Sequence, residues 1–240
     1  MFGRLARKRS DPHALHAQVR PGATYSPWNQ DQEFRAVYER LRAHTLVDIW
    51  RCHELWQLVA QSAKLSGGAL LEVGVWRGGT GALIAQRAAR CGISEPVYLC
   101  DTFTGVVKAG DKDTAYKGGE HADTSFAAVG ALLADIGAHN AHLLQGIFPE
   151  QTAARIEAET FRFGHIDVDV YRSARDSFEW LWPRLLAGGI VVFDDYGFIG
   201  CDGVTRYVEE LRALPGCAVL HNLNGHAVVI KWQDAAAPGA

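Results

Sequence analysis

The feature that most constrains this chain is a short apolar run with an acid at or near its carboxyl end, which occurs four times. Leu70-Leu71-Glu72-Val73-Gly74 is the first such run and Val97-Tyr98-Leu99-Cys100-Asp101 the second. Phe163-Gly164-His165-Ile166-Asp167-Val168-Asp169 and Gly189-Ile190-Val191-Val192-Phe193-Asp194-Asp195 follow. Continuous apolar runs of this length fit strands buried on both faces, as parallel sheets require. Helical patterns separate or follow them, over Gly81–Arg90, Ser125–Ile136, Pro149–Glu159, Tyr171–Leu186 and Gly203–Leu214. The alternation predicts an open α/β sheet, mostly parallel, with helices on both faces and right-handed crossovers. His142–Gly146 supplies another strand, and Cys217–Asn222 with His226–Trp232, joined through Asn224-Gly225, supplies an antiparallel edge hairpin.

In such a sheet ligands sit beyond the carboxyl ends of the strands, where the strand order reverses. The acid-ended runs deliver Glu72, Gly74, Asp101, Asp167, Asp169, Asp194 and Asp195 to that rim. Carboxylates crowded together raise one another's pKa and repel unless a cation neutralises them. Hard oxygen donors with room for water and substrate suit Mg²⁺ or Mn²⁺ rather than zinc. A metal so held would bind a substrate hydroxyl and make it more acidic. The plainer alternative has Asp194 and Asp195 capping the next helical turn and Asp167 pairing with Arg172 or Arg175.

The loop Glu72-Val73-Gly74-Val75-Trp76-Arg77-Gly78-Gly79-Thr80-Gly81 joins a strand to a helix. It has no lysine for a phosphate-binding loop, and Gly74-Val75-Trp76 breaks the dinucleotide fingerprint at its second glycine. What remains is an acid-then-glycine turn suited to a ligand with an amino-acid end. Glu72 would order the loop or the ligand's ammonium, and Gly74 would open space for it. Asp101, one helix and one strand later, is placed to accept bonds from two ribose hydroxyls, or else to cap its own turn with Thr102. His121 and His165 are candidate proton carriers. His165, inside a strand, reads rather as a core histidine.

With 240 residues and 48% hydrophobic content the chain suits one α/β domain with a full core. Residues 1–30 are expected to be flexible, 31–234 to form a single domain, and 235–240 to be a disordered tail. Within the domain, 31–66 is expected as a helical cap and 105–125 as a lid. The cap is a candidate contact for a homodimer or larger homo-oligomer. A net charge of −3 gives no global reason to bind nucleic acid. The one basic cluster, Arg4, Arg7, Lys8 and Arg9, reads as a solvated tail. Five scattered cysteines without C-x-x-C spacing argue against a disulfide framework. With no signal peptide and no membrane-length apolar stretch, the expected location is cytoplasmic.

Taken together these motifs resemble the macrocin O-methyltransferase family. The resemblance runs from Val47-Asp48-Ile49-Trp50-Arg51 through Leu71–Thr80, Asp101-Thr102-Phe103-Thr104-Gly105 and Gly146-Ile147-Phe148-Pro149-Glu150. It continues through His165–Tyr171 and Phe193-Asp194-Asp195-Tyr196-Gly197 to Gly203-Val204-Thr205. It implies a class I methyltransferase (Rossmann-like) sheet of seven strands, the last antiparallel. It further implies S-adenosylmethionine at Glu72, Gly74, Thr80, Asp101 and Phe103, and Mg²⁺ at Asp167, Asp194 and Asp195. Asp169 and His121 match family positions for a general base, Asp169 being the first choice beside a metal-held hydroxyl. The implied acceptor is a hydroxyl of a glycosylated small molecule. Two other readings compete: a metal-dependent glycosyltransferase, because Asp167-Val168-Asp169 spells D-x-D, and a catalytically silent binding or scaffold protein.

Overall fold

The computed structural model describes residues 15–19 and 22–233, so the basic cluster Arg4–Arg9 and the 235–240 tail lie outside the described residues. Two helices open the described fold, α1 (Gln32–Leu41) and α2 (Ile49–Ser62). The sheet contains β1 (Ala69–Val73), β2 (Val97–Asp101), β3 (Ala141–Gln145), β4 (Phe161–Ile166), β5 (Leu185–Phe193), β6 (Cys217–His221) and β7 (Ala227–Lys231). Between them lie α3 (Gly79–Arg90), α4 (Phe126–Ile136), α5 (Tyr171–Leu181) and α6 (Asp202–Glu210).

The strands form one seven-stranded sheet in the order β3-β2-β1-β4-β5-β7-β6. The first five run parallel, and β7 lies antiparallel between β5 and β6. Because the chain builds outward from β1 to β3 and then returns to β4, the order reverses between β1 and β4, and the rim crevice opens there. Alternate residues face opposite sides of the sheet. Leu70, Phe163 and Val192 join the core under α1–α4, while Leu71, Ile166 and Val191 join the core under α5 and α6. The amino-terminal helices therefore share a core with the sheet: Phe34, Leu55 and Trp56 are fully buried in it.

Three elements differ from their expected extents. The helical cap expected over 31–66 is two helices, because Asp48 starts a second one by accepting bonds from the Trp50 and Arg51 amides. The helix anticipated over Pro149–Glu159 is only a 3-10 turn, Ala153–Ile156. Its buried anchors, Ala153 and Ile156, are three residues apart, a spacing that eclipses in 3-10 geometry. Tyr171–Leu186 stops at Leu181, since Pro183 has no amide to continue the ladder, and β5 begins at Leu185. All five cysteines are unpaired. No helix among the described residues is long and apolar enough to cross a membrane.

Candidate active site

A cavity of about 330 Å³ opens at the rim, lined by the glycine loop, the ends of β2, β4 and β5, and parts of the 105–125 segment. Segment 44–47, between α1 and α2, forms another wall. Gly74, Thr80, Asp101, His121, Asp167, Asp169, Asp194 and Asp195 all reach this one space. Two candidates do not. Glu72 is fully buried beneath the loop, with Oε1 2.9 Å from His165 Nδ1. Phe103 is buried edge-on against Phe126 and does not line the cavity.

Local geometry explains why these residues form a rigid wall. Gly74 has φ +89°, and a Cβ there would lie 1.7 Å from the Asp167 backbone oxygen. The room that glycine makes is therefore taken by the end of β4, which brings the two halves of the rim together. Asp101 Oδ2 accepts from the Val75 and Trp76 amides at 2.7 and 2.8 Å, and Oδ1 from the Phe103 amide at 2.6 Å. Its carboxylate thus fixes the glycine loop. Of the roughly four acceptor positions of a carboxylate, that leaves one for a ligand hydroxyl.

The second acidic set is electrostatically divided. Oxygens of Asp167, Asp194 and Asp195 all lie within 4.8 Å of one another. Asp194 accepts from Arg51 Nη1 and, at 2.8 Å, from His226 Nε2, with His165 Nε2 at 3.8 Å. Burial opposes its ionisation, but the nearby His165, the His226 hydrogen bond and the His226 and Arg51 charges outweigh burial and hold Asp194 well below the usual carboxylate range. Asp167 and Asp195 are pushed well up, by burial first and by neighbouring carboxylates second. Burial also raises Asp169, against hydrogen bonding from Tyr116 and the pull of His121. The plainer pairing of Asp167 with Arg175 does not occur: Arg175 binds Asp176 at 2.7 Å. Nor do the paired acids cap the next helix, whose N-cap is Cys201. Asp195 instead accepts from the Asp169 amide at 2.8 Å.

Segment 105–125 is packed onto this rim. Asp113 accepts from the amides of Tyr171 and Gly110, each at 2.8 Å, and Ser173 Oγ donates to the Val107 carbonyl at 2.9 Å. That placement puts the Tyr116 hydroxyl 3.4 Å from His121 Nε2 and sets the His121 ring edge-on to Trp76. Sequence reasoning missed Tyr116, Arg51, Glu54 and His226. Arg51 stands in a quoted motif and Tyr116 in the expected lid, but neither carries a spacing that marks a role. His165 is a core histidine, fully buried, yet it bridges Glu72 and the Asp194 side of the rim, and its pKa is raised to about 9 because these two carboxylates outweigh burial.

Comparison with known proteins agrees with this geometry. Residues 15–230 match the Macrocin-O-methyltransferase (TylF) family. The chain is 30% identical over 180 residues to the 8-demethyl-8-(2,3-dimethoxy-alpha-L-rhamnosyl)-tetracenomycin-C 4'-O-methyltransferase of Streptomyces olivaceus, covering 69% of this chain and 67% of that protein. It is also 30% identical over 185 residues to the mycinamicin III 3''-O-methyltransferase of Micromonospora griseorubida, covering 70% and 71%. Among solved structures, the O-methyltransferase NovP superposes with TM-score 0.67 at 23% identity, over 79% of this chain and 83% of that one. The calicheamicin methyltransferase CalS11 superposes with TM-score 0.65 at 18% identity, over 95% and 100%, and so shares the fold. The chain belongs to the macrocin O-methyltransferase family. It is an S-adenosylmethionine-dependent O-methyltransferase, which displaces both the glycosyltransferase and the scaffold readings.

Proposed function

We propose that this enzyme methylates a hydroxyl on the sugar of a glycosylated small molecule, and that Asp167, Asp194 and Asp195 hold a divalent metal for the purpose. The observation that carries the reading is the division among these acids. Asp194 accepts from Arg51 and His226, while Asp167, half-buried, and Asp195, buried, crowd beside it with their pKa values pushed up by burial and by neighbouring carboxylates. All three offer only carboxylate oxygen to a shared point, a donor set that fits Mg²⁺ or Mn²⁺. A dication there would supply a positive centre that lowers the pKa of an acceptor hydroxyl.

The chain's own residues supply the rest. Asp169 lines the cavity beside Asp167 and is the candidate to take the hydroxyl proton, and its raised pKa makes it a stronger base. His121, also on the cavity wall, is the second candidate. Thr80 and the one acceptor position remaining on Asp101 face the space assigned to S-adenosylmethionine, whose sulfonium supplies a methyl group on a good leaving group. Glu72 acts from beneath the loop through His165, and Phe103 acts through its amide on Asp101. The 105–125 segment acts as a lid that excludes water.

The test is methyl transfer from labelled S-adenosylmethionine to a panel comprising a rhamnosylated aromatic polyketide, a macrolide glycoside and their sugar-free aglycones. Label is expected only on the glycosides, and EDTA should stop it. Transfer to the aglycones would overturn the sugar assignment, and undiminished transfer in EDTA would overturn the metal.

A further inference from the structure

Helix α2 reaches Asp194 by two routes. Arg51 touches Asp194 directly. Glu54, three residues on and so on the same face of the helix, reaches it through a histidine. Glu54 Oε2 lies 2.6 Å from His226 Nδ1, and His226 Nε2 lies 2.8 Å from Asp194 Oδ1. His226 is fully buried, and neither it nor Glu54 lines the cavity, so neither can touch substrate. An ionised carboxylate only accepts hydrogen bonds. With an acceptor facing each nitrogen, His226 donates from both, Nδ1 to Glu54 and Nε2 to Asp194; Glu54 thereby fixes the plane of the ring and aims the Nε2 proton at Asp194.

We infer that Glu54 is a positioning residue which, through His226, sets how Asp194 presents itself to the metal. The inference rests on the metal reading above. A carboxylate behind a histidine commonly fixes ring and tautomer at metal centres, and here the same device acts one step further out, on a carboxylate ligand. A second carboxylate–histidine pair, Glu72 with His165, approaches the same Asp194 oxygen from the sheet side. Asp194 Oδ1 is thus bonded by His226 and approached by His165 at 3.8 Å, while Arg51 holds Oδ2. Glu54 also accepts from Asn222 and, at 2.9 Å, from Asn224, so a purely structural role would be to pin α2 to the β6–β7 hairpin.

The two roles separate by experiment. Mn²⁺ binding is followed by electron paramagnetic resonance on protein saturated with S-adenosylhomocysteine, in wild type, Glu54→Ala, Glu54→Gln and Asn222→Ala. Removing such an outer partner typically weakens metal binding by about 10- to 100-fold, and that loss is expected for Glu54→Ala. Glu54→Gln, which keeps an acceptor for Nδ1, should recover most of it. Asn222→Ala loses a pinning bond without touching the histidine and should bind Mn²⁺ as wild type does. S-adenosylhomocysteine affinity should be unchanged throughout. If Glu54→Ala does not fold, Glu54→Met, of similar bulk, takes its place. Equal Mn²⁺ affinity in wild type and the Glu54 variants, or equal losses in Glu54→Ala and Asn222→Ala, would overturn this inference alone. Absence of Mn²⁺ binding in wild type would overturn the metal reading with it.

Discussion

Replacing Asp167 by Asn tests the electrostatic core of the proposal, because it removes one crowded charge while preserving the shape of the side chain. The oxygens concerned lie within 4.8 Å of one another. At that spacing, with an effective dielectric constant near 20, each ionised pair is repulsive by about 3.5 kcal/mol or more. Burial and the neighbouring carboxylates push the pKa values of Asp167 and Asp195 up, which relieves part of this repulsion. A gain of about 1–3 kcal/mol in metal-free stability is therefore expected for Asp167→Asn, or roughly 2–4 °C per kcal/mol for a chain of this size. Wild type should behave in the opposite way when metal is added. At a hundred times its dissociation constant a ligand stabilises by about 2.7 kcal/mol, hence roughly 5–10 °C. The assay is calorimetric melting of both proteins in EDTA and in saturating Mg²⁺. The sign with pH follows from the raised folded-state pKa values. In EDTA the stability is full below the unfolded carboxylate value near ~3.9 and is lost as pH rises through the raised values. Mg²⁺ should remove that loss. A wild-type melting point indifferent to Mg²⁺, or an Asp167→Asn variant less stable than wild type in EDTA, would refute the reasoning.

Three further outcomes are expected. Asp169→Asn should lower kcat by about 10²- to 10⁴-fold, the usual worth of a general base, with S-adenosylhomocysteine binding retained; a larger loss in His121→Ala than in Asp169→Asn would reverse the assignment. Asp113→Ala abandons the buried amide of Tyr171 and the more exposed one of Gly110. It should cost about 1–3 kcal/mol by urea denaturation and expose 105–125 to protease; uniform destabilisation without faster cleavage there would show that Asp113 does not hold that segment. Burial opposes ionisation of Asp176, but Arg175 and Lys108 outweigh it and hold its pKa below the ordinary value. That stabilisation is present above the unfolded value and is lost as pH falls through the lowered one, so Asp176→Asn should flatten the acid limb of stability between about pH 5 and pH 2; the effect is small because the group is partly exposed, and an unchanged urea-midpoint profile would refute it.

The sheet was legible because parallel strands buried on both faces are contiguous apolar runs, and their acids stand where such runs stop. Pro183 was legible in principle as the end of α5, but the apolar run around it masks a change from helix to strand. The break between α1 and α2 hid in the same way, since apolar spacing continues across 42–48 while the chain leaves the helix to wall the cavity. The acids of the site were legible as a group but not as individuals. Nothing near Asp194 in the chain distinguishes it from Asp195, yet the pKa of one is held down and that of the other pushed up. Likewise Glu72 and Phe103 stand in the right motifs but point behind the cavity wall, a direction that spacing alone does not carry.

By itself the amino-acid sequence determined the strand and helix alternation, the reversal point that the acids frame, and the membership of Asp101, Asp167, Asp169, Asp194 and Asp195 in one rim. These follow from periodicity, which is local. Only the tertiary structure decided which of the acids is compensated. Arg51 lies 143 positions from Asp194, and Glu54 lies 172 from His226. A carboxylate's charge state depends on burial and on charges within a few ångströms, whatever their separation along the chain.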